Sequence, residues 1–397
     1  MNNNFNNSAC IMPVSEPLAS SVIATDNTTA QYVTQSLRSR AQGARQGQVT
    51  LPSYFYTGDE ILQLELQAIF DKEWICIGRS DEVPEAGDYV TTQVLNEPLI
   101  LLRDEQGDLQ VLSNVCRHRC MKVADGSGKK ARGFTCPYHA WSYDLKGKLI
   151  AAPRMKEDGF KMVDHDLAQV RFEQWQGFVY VNLDGKAEPL APRLTGLDTI
   201  LANYHTDQML HHFSQEDVWH CNWKALVENF MEGYHLNCVH PQTLRPITPT
   251  SRAKKLPDGP GYTAYAANYN QGYEARKFKH EDLSGEEANR SSLFCVYPSH
   301  IASQSPHLLV YMAIQPLTSS SLKVRWGMSI RSLDMVGQGM DALEALWTRV
   351  NAEDKAKLEG LQATYSSRHA QAGPLAPEDL EGTIKDFHRY LARMLEH

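Results

Sequence analysis

Two short motifs in the sequence each pair a cysteine with a histidine. Cys116 and His118 form a C-x-H motif, and Cys136 and His139 form a C-x-x-H motif further along the chain. Two thiolates and two imidazoles can hold a [2Fe–2S] cluster, with the cysteines on one iron and the histidines on the other. A zinc site built from the same residue types usually runs C-x₂₋₄-C and then H-x₃₋₅-H, so this order fits zinc poorly. The spacing therefore predicts that these four residues bind a [2Fe–2S] cluster.

A second group of metal-ligand residues lies near the middle of the chain. His235 and His240 stand five positions apart, and Glu232 precedes them. Residues five apart lie about 140° apart around a regular α-helix. Binding one ion therefore requires the helix to widen or end between the histidines, and Pro241 favours an end. Two imidazoles and one carboxylate form the facial triad of non-haem Fe(II) oxygenases, which predicts mononuclear iron at His235 and His240.

Three stretches are similar to one known family: residues 114–118 (NVCRH), 136–147 (CPYHAWSYDLKG) and 222–240 (NWKALVENFMEGYHLNCVH). The first two resemble the Rieske domain of the Rieske non-haem iron oxygenases, and the third resembles their N-W-K…E-N-F…Y-H-x₄-H pattern. The chain thus resembles the terminal oxygenase alpha subunit. Glu232, where most members carry Asp, resembles the choline/carnitine monooxygenase and glycine betaine demethylase branch. Cys120 lies where the family commonly has Gly, and we interpret it as a small packing residue.

The resemblance implies the remaining site residues. The third iron ligand of the family is an Asp on a late helix, and Asp354 aligns best with it, with Glu353 and Glu359 as alternatives. The residue at the position of Glu232 is implied to bridge the mononuclear site of one subunit to a cluster histidine of its neighbour, which would be His139. Each Rieske centre would then serve the iron of the adjacent subunit in a head-to-tail homotrimer.

The resemblance also implies the reaction. The cofactors would be the Rieske [2Fe–2S] cluster and a mononuclear Fe(II), with O₂ as co-substrate. Electrons would come from NAD(P)H through a reductase, with or without a separate ferredoxin, because the chain has no G-x-G-x-x-G fingerprint of its own. Glu232 favours hydroxylation of an aliphatic carbon, including N-demethylation or monooxygenation of a betaine-, choline- or carnitine-like compound. The alternatives are oxidation of a larger aliphatic natural-product intermediate, aromatic-ring cis-dihydroxylation and, among non-enzymes, a Rieske electron-transfer protein.

A betaine-like substrate would need aromatic side chains around its ammonium group. Tyr297, Tyr311 and Trp326 lie in predicted strands and are candidates for such a cage, although aromatic residues in strands are more often part of the core.

The secondary-structure patterns predict an α+β fold. A helix is predicted over 58–72, opened by a capping box at Thr57, and turn-punctuated strands follow at 74–78, 89–94, 99–103, 109–113 and 178–183. Beyond them we predict a helix over 226–238, a long loop over 254–290, strands at 293–297, 307–315 and 321–332, and helices over 337–366 and 377–394. The resemblance implies a small all-β Rieske domain and an antiparallel-sheet catalytic domain with helices, of the helix-grip type.

Length and composition limit the class of protein. A chain of 397 residues predicts two to three domains, which we place at 1–48 (a flexible segment), 49–187 (the N-terminal helix and the Rieske domain) and 188–397 (the catalytic domain). The net charge of −8 argues against a nucleic-acid partner, and no apolar run reaches the length of a membrane span. Eight cysteines are too few for a disulfide scaffold. We expect a cytoplasmic protein that acts on a small molecule.

Overall fold

The computed structural model describes residues 35–36, 49–156, 159–273, 278–337 and 339–395. The predicted flexible segment 1–48 lies outside the described residues, apart from 35–36. Over the described ranges the strands form four antiparallel sheets, and the two long helices come at the C-terminal end. This combination confirms the predicted α+β class. Among the described helices, none has both the length and the apolar composition that a bilayer span requires.

The first helix, α1 (Asp59–Glu65), continues through a wider π turn at Leu66–Phe70, which confirms the helix predicted over 58–72. The predicted capping box is wrong. No side chain caps the helix, because the Thr57 hydroxyl donates to the Ser53 carbonyl instead.

Helix α1 is anchored to the middle of the chain by a buried ion pair. The carboxylate of Glu65, at the end of α1, lies 2.6 Å from the Lys224 ammonium, and both side chains are fully buried. The Trp223 indole N–H also donates to Glu65, at 2.7 Å. Because residues 223 and 224 begin the segment that carries the predicted iron ligands, α1 helps to position that segment.

Three small sheets cover residues 75–182. Their strands are β1 (Ile75–Arg79), β2 (Asp88–Val94), β3 (Glu97–Arg103), β4 (Leu109–Ser113), β5 (Ser127–Lys129), β6 (Phe134–Thr135), β7 (Ser142–Tyr143), β8 (Leu149–Ala151), β9 (Arg171–Trp175) and β10 (Phe178–Asn182). They pair in the orders β4-β3-β2-β5, β6-β7-β8 and β1-β10-β9. The five strands predicted here are confirmed, with ends that shift by one or two residues.

A seven-stranded sheet dominates the rest of the chain. Its strands are β11 (Leu210–Trp219), β12 (Ala253–Lys255), β13 (Tyr262–Asn268), β14 (Arg290–Val296), β15 (His300–Gln304), β16 (Leu308–Thr318) and β17 (Ser321–Ile330), in the order β11-β17-β16-β15-β14-β13-β12. The long loop predicted over 254–290 is wrong in part, because it contains β13. That strand is built from Tyr, Thr, Ala and Asn, so it lacks the large aliphatic residues that mark a buried strand in a sequence.

Strand β16 shows why the sheet is buried on both faces. Its even-numbered residues from 310 to 314 belong to the same core cluster as Trp223 and Phe387, whereas its odd-numbered residues from 309 to 313 pack with Phe178 and Tyr180 of β10. Side chains alternate across a strand, so one face meets helices and the other meets the small sheet.

The helices that follow are α2 (Thr195–Leu201), α3 (Trp223–Phe230), α4 (Leu236–Val239), α5 (Met340–Tyr365) and α6 (Glu378–Met394). The two long C-terminal helices are confirmed. The single helix predicted over 226–238 is wrong, because the chain leaves the helix at residues 231–235 and restarts as the one-turn helix α4. That interruption separates the predicted iron ligands from α3.

Candidate metal centres

The C-x-H and C-x-x-H motifs lie in two loops, and each loop is closed by the same pattern of two backbone hydrogen bonds. In the first, the Cys116 N–H donates to the Met121 carbonyl and the Cys120 N–H returns to the Cys116 carbonyl. In the second, the Cys136 N–H donates to the carbonyl of residue 141 and the Ala140 N–H returns to Cys136. Cys120 and Ala140 have φ values of 56° and 59°, in the left-handed region that favours glycine. Cys120 is exposed, so its interpretation as a packing residue is wrong. Its left-handed backbone conformation explains why the family commonly has glycine at this position.

The four motif side chains converge at the tips of these loops. Nδ1 of His118 and Nδ1 of His139 lie 3.2 Å apart on the exposed side, while Cys116 and Cys136 are buried beneath them. Burial raises the pKa of the Cys136 thiol, which lies beside Cys116. The Tyr143 hydroxyl lies 3.4 Å from the Cys116 sulfur. Two imidazole nitrogens that face each other above a pair of adjacent thiols fit the ligand set of a [2Fe–2S] cluster.

A second convergence joins His235, His240 and Asp354. Oδ1 of Asp354 lies 3.1 Å from Nε2 of His240 and 3.7 Å from Nε2 of His235. Nε2 of His240 and Oδ1 of Asp354 are buried and have no hydrogen-bond partner. Buried polar atoms normally have partners, so two unpartnered atoms aimed at one point fit a metal ion. The donor set, two imidazoles and a carboxylate, is that of a non-haem Fe(II) site with open positions.

The broken helix brings the two histidines to one side. His235 is the residue directly before α4, and His240 is the residue directly after it, with φ −115° and ψ 48°. The expected helix end therefore lies directly at the histidines, and Pro241 follows it. A continuous helix over these residues would hold the two imidazoles about 140° apart.

Glu232 contacts Nδ1 of His235, the ring nitrogen that does not face Asp354. Nδ1–H of His235 donates to Oε1 of Glu232, and Oε2 accepts the backbone N–H groups of Tyr234 and His235. Burial by itself would lower the pKa of His235, but the Glu232 carboxylate holds that pKa above its ordinary value. A histidine that donates from Nδ1 leaves its Nε2 lone pair directed at the metal position.

Helix α5 distinguishes the three candidate carboxylates. Asp354 faces both histidines, whereas the preceding residue, Glu353, accepts from Nδ1–H of His240 at 2.8 Å. Glu353 also accepts from the Thr243 hydroxyl at 2.6 Å, and although burial raises its pKa, these two partners bring that pKa below the ordinary value. Glu359 accepts a backbone N–H from residue 220, away from the cluster. The sequence suggested Glu353 only as a ligand and did not show its contact with His240.

A cavity of about 70 Å³ lies beside α4 and α5, although the three metal ligands themselves are not among its lining residues. It is lined by residues that flank the metal ligands in the sequence, such as Leu236 and Leu244, and by side chains from the sheet and from α5. Its aromatic members are Tyr265, Tyr269, Tyr273 and Trp347. The described lining contains no Lys, Arg, Asp or Glu.

The aromatic residues that the sequence offered for a cage lie elsewhere. The ring of Tyr297 stacks on Tyr390 at 4.3 Å, Tyr311 packs edge-on against Phe178 at 5.0 Å, and Trp326 packs against Phe213. All three are core residues, which is the more usual role of aromatic residues in strands, and none of them lines this cavity. Sequence alone could not find the cavity residues, because Tyr265 and Tyr269 come from the part of the chain that was predicted to be a loop.

Comparison with known proteins matches both parts of the chain. Residues 73–172 match the family described as Rieske [2Fe-2S] domain, and residues 201–397 match the ring hydroxylating alpha subunit (catalytic domain).

Several curated proteins are similar over about half of this chain. The glycine betaine monooxygenase oxygenase subunit of Chromohalobacter salexigens is 34% identical over 203 residues, which are 51% of this chain and 46% of that protein. The carnitine monooxygenase oxygenase subunit of Escherichia coli is 35% identical over 199 residues, 48% of this chain and 52% of that protein. The chain thus spans about half the length of these relatives.

Among solved structures, a quaternary ammonium Rieske monooxygenase is similar in fold. It has a TM-score of 0.80 and 22% sequence identity, and the alignment covers 91% of this chain and 98% of that one.

Proposed function

Because the chain belongs to the proteins that join a Rieske [2Fe-2S] domain to a ring-hydroxylating alpha-subunit catalytic domain, we propose that it is the oxygenase component of a Rieske-type oxygenase. It would use O₂ and electrons relayed from NAD(P)H to hydroxylate an aliphatic carbon. The observation that carries this proposal is the meeting of His235, His240 and Asp354, with two buried and unpartnered ligand atoms, in the same chain as a Cys₂His₂ cluster site.

The proposed roles follow from the contacts. When bound, the mononuclear iron would supply activation of dioxygen, and the [2Fe–2S] cluster would supply single electrons. Asp354, His235 and His240 would hold the metal, and Glu232 and Glu353 fix the orientation of the two imidazoles. The apolar cavity keeps water from the reacting carbon and positions it.

The proposal extends to the assembly. Glu232 would face His139 of an adjacent subunit in a head-to-tail homotrimer, and a reductase, with or without a ferredoxin, would be the electron donor. We place the protein in the cytoplasm and divide the chain near residues 187 and 188, between the Rieske and catalytic parts.

For the substrate, we propose a quaternary ammonium compound of the betaine, choline or carnitine kind. Since the described cavity lining has no acidic residue, recognition of a cation would rest on the faces of its Tyr and Trp rings. The relatives named above are glycine betaine and carnitine monooxygenase subunits, which supports this class. The same lining, which has no Lys, Arg, Asp or Glu, also favours a second candidate, oxidation of a neutral aliphatic or aromatic compound.

The test is a substrate screen with the purified chain, a compatible reductase and NAD(P)H. Oxygen uptake with release of formaldehyde on a betaine, choline or carnitine would support N-demethylation. Uptake on neutral compounds alone would favour the second candidate.

A matched pair of variants tests the oxygenase proposal itself. His235→Ala should abolish oxygen uptake and leave about two irons per chain with a normal reduced Rieske signal. The control, His220→Ala, changes an exposed histidine outside the cluster and should keep activity. Full oxygen uptake in His235→Ala would overturn the assignment of His235 as an iron ligand, whereas a parent chain with two irons and no substrate-dependent oxygen uptake would support a pure electron-transfer protein.

A further inference from the structure

A third group of metal-ligand side chains lies outside both proposed iron centres. His205, His280 and Asp282 each offer one ligand atom, and these atoms all lie within 4.8 Å of one another. Oδ2 of Asp282 lies 2.6 Å from Nε2 of His205 and 3.5 Å from Nδ1 of His280. His205 lies in the connection between α2 and β11, five residues before β11 begins, and the other two residues belong to the connection between β13 and β14.

The backbone on both sides of this cluster is fixed by the core. Tyr204, which precedes His205, and Leu283, which follows Asp282, are buried in the same hydrophobic cluster. The Tyr204 hydroxyl donates to the Glu287 carbonyl at 3.0 Å, and the Arg331 guanidinium donates to the carbonyls of Tyr204 and His205. The three ligands are therefore held near one another by packing that does not depend on them.

An ordinary surface ion pair explains this arrangement less well. An ion pair between the Asp282 carboxylate and one histidine would not require a second histidine nearby. Here, however, both His205 and His280 lie next to the carboxylate, and the centroids of their rings are 4.0 Å apart. Two protonated imidazoles at that distance repel each other, whereas two neutral imidazoles and a carboxylate are a ligand set for a divalent metal. The side chains of His205, His280 and Asp282 are 28%, 23% and 49% exposed, so an ion can reach them from solvent.

We propose that His205, His280 and Asp282 form a separate binding site for Zn²⁺. Zinc takes imidazole and carboxylate ligands at about 2.0–2.2 Å, which requires ligand atoms separated by about 3.3 Å. The distances from Oδ2 of Asp282 to His205 and His280, 2.6 Å and 3.5 Å, lie on either side of that value. A fourth position is open to water. Zinc binds nitrogen and oxygen sites more strongly than Fe(II) does, so this site would not compete for the iron of the other centres.

The site would join parts of the chain that are distant in sequence. His205 and Asp282 are 77 positions apart, and the segment that carries Asp282 also contains Tyr273 of the cavity wall. A metal bound here would link the connection between β13 and β14 to the connection between α2 and β11, and it would stabilise the folded chain by its binding free energy.

The experiment measures bound zinc in the full chain, freed of any affinity tag and first loaded with iron. After equilibration with Zn²⁺ and removal of the excess, the chain should retain one more zinc per chain than the double variant His205→Ala/His280→Ala. The control His212→Ala removes a histidine that pairs with Glu344 and should retain the zinc. Any zinc at the iron centres is common to all three proteins and cancels in the comparison.

A second readout does not depend on counting metal. Zn²⁺ should raise the thermal midpoint of the parent chain and of His212→Ala, but not that of the double variant or of Asp282→Asn. The result that overturns the proposal is equal zinc content in the parent chain and the double variant, or an equal thermal shift in both. Iron content and oxygenase activity are separate measurements, so failure here leaves the proposed function untouched.

Discussion

At the scale of single residues, each of the two proposed iron-ligating histidines is oriented by a carboxylate that does not itself face the metal position. Glu232 accepts from Nδ1 of His235, and Glu353 accepts from Nδ1 of His240. The partner of a ligating histidine fixes its tautomer and raises its basicity. Adjacent residues on α5 therefore have different tasks, with Asp354 facing both histidines and Glu353 supporting one of them.

The role of Glu353 can be tested by Glu353→Gln. The neutral amide can still accept a hydrogen bond but no longer supplies the negative charge beside His240. We expect mononuclear iron to be held about 10–100-fold more weakly, measured as the rate of Fe(II) loss to a chelator, with the Rieske spectrum unchanged. The control, Glu359→Gln, touches only the backbone of residue 220 and should hold iron normally. Equal iron retention in the two variants would contradict the supporting role.

At the scale of elements, the site depends on where α3 is placed by its neighbours. The Glu65–Lys224 pair connects the end of α1 to the beginning of α3, with both side chains fully buried. Removing one partner of a buried pair leaves an uncompensated charge, which is far more costly than losing a surface pair.

We expect Lys224→Met to lower the free energy of unfolding by about 3–5 kcal/mol. Lys385→Met breaks the exposed pair with Glu378 and should cost less than about 1 kcal/mol. Denaturant unfolding of the iron-loaded chains measures both. Similar losses in the two variants would show that the buried pair does not anchor α3.

Strand β15 carries a buried histidine that makes stability depend on pH. His300 is fully buried, its Nδ1 lies 2.5 Å from the Tyr180 hydroxyl, and burial lowers its pKa to about 3. The unfolded chain binds a proton at this residue near pH 6.5, so between about pH 6.5 and 3 the unfolded state holds more protons than the folded state. The stabilisation from neutral His300 is therefore complete above about pH 6.5 and declines as the pH falls.

His300→Gln removes this titration and keeps a hydrogen-bonding side chain. Between pH 6.5 and 5 the free energy of unfolding should fall less steeply in the variant, by up to about 1.4 kcal/mol per pH unit. Parallel curves for the two proteins would mean that His300 is not held neutral.

At the scale of the whole molecule, the cluster residues lie in loops beside the small sheets, whereas the iron residues lie in or next to helices α4 and α5. In the proposed head-to-tail trimer the centres that work together belong to neighbouring subunits. Two inactive variants should therefore complement each other: Cys116→Ser, which lacks a cluster ligand, and His235→Ala, which lacks an iron ligand. Mixed trimers made by co-expression should regain oxygen uptake, whereas a mixture of separately purified trimers should not. No activity in the mixed trimers would place both working centres in one subunit.

Spacing along the chain was enough to predict the parts of the site whose ligands are close together in sequence. The pairs Cys116 with His118, Cys136 with His139, and His235 with His240 are each brought together by one loop or one helix turn, so spacing suffices to identify them. The long helices and most strands were also predictable, since their apolar periodicity is strong.

Which distant residues complete each site became clear only from the three-dimensional packing of the elements. Asp354 was preferred to Glu353 and Glu359 by resemblance, but the packing of α5 against α4 is what brings its oxygen to both histidines. The cavity aromatics and the His205–His280–Asp282 cluster join segments far apart in the sequence. Which side chains meet across such separations depends on strand register and helix rotation, and a local pattern of residue types contains neither.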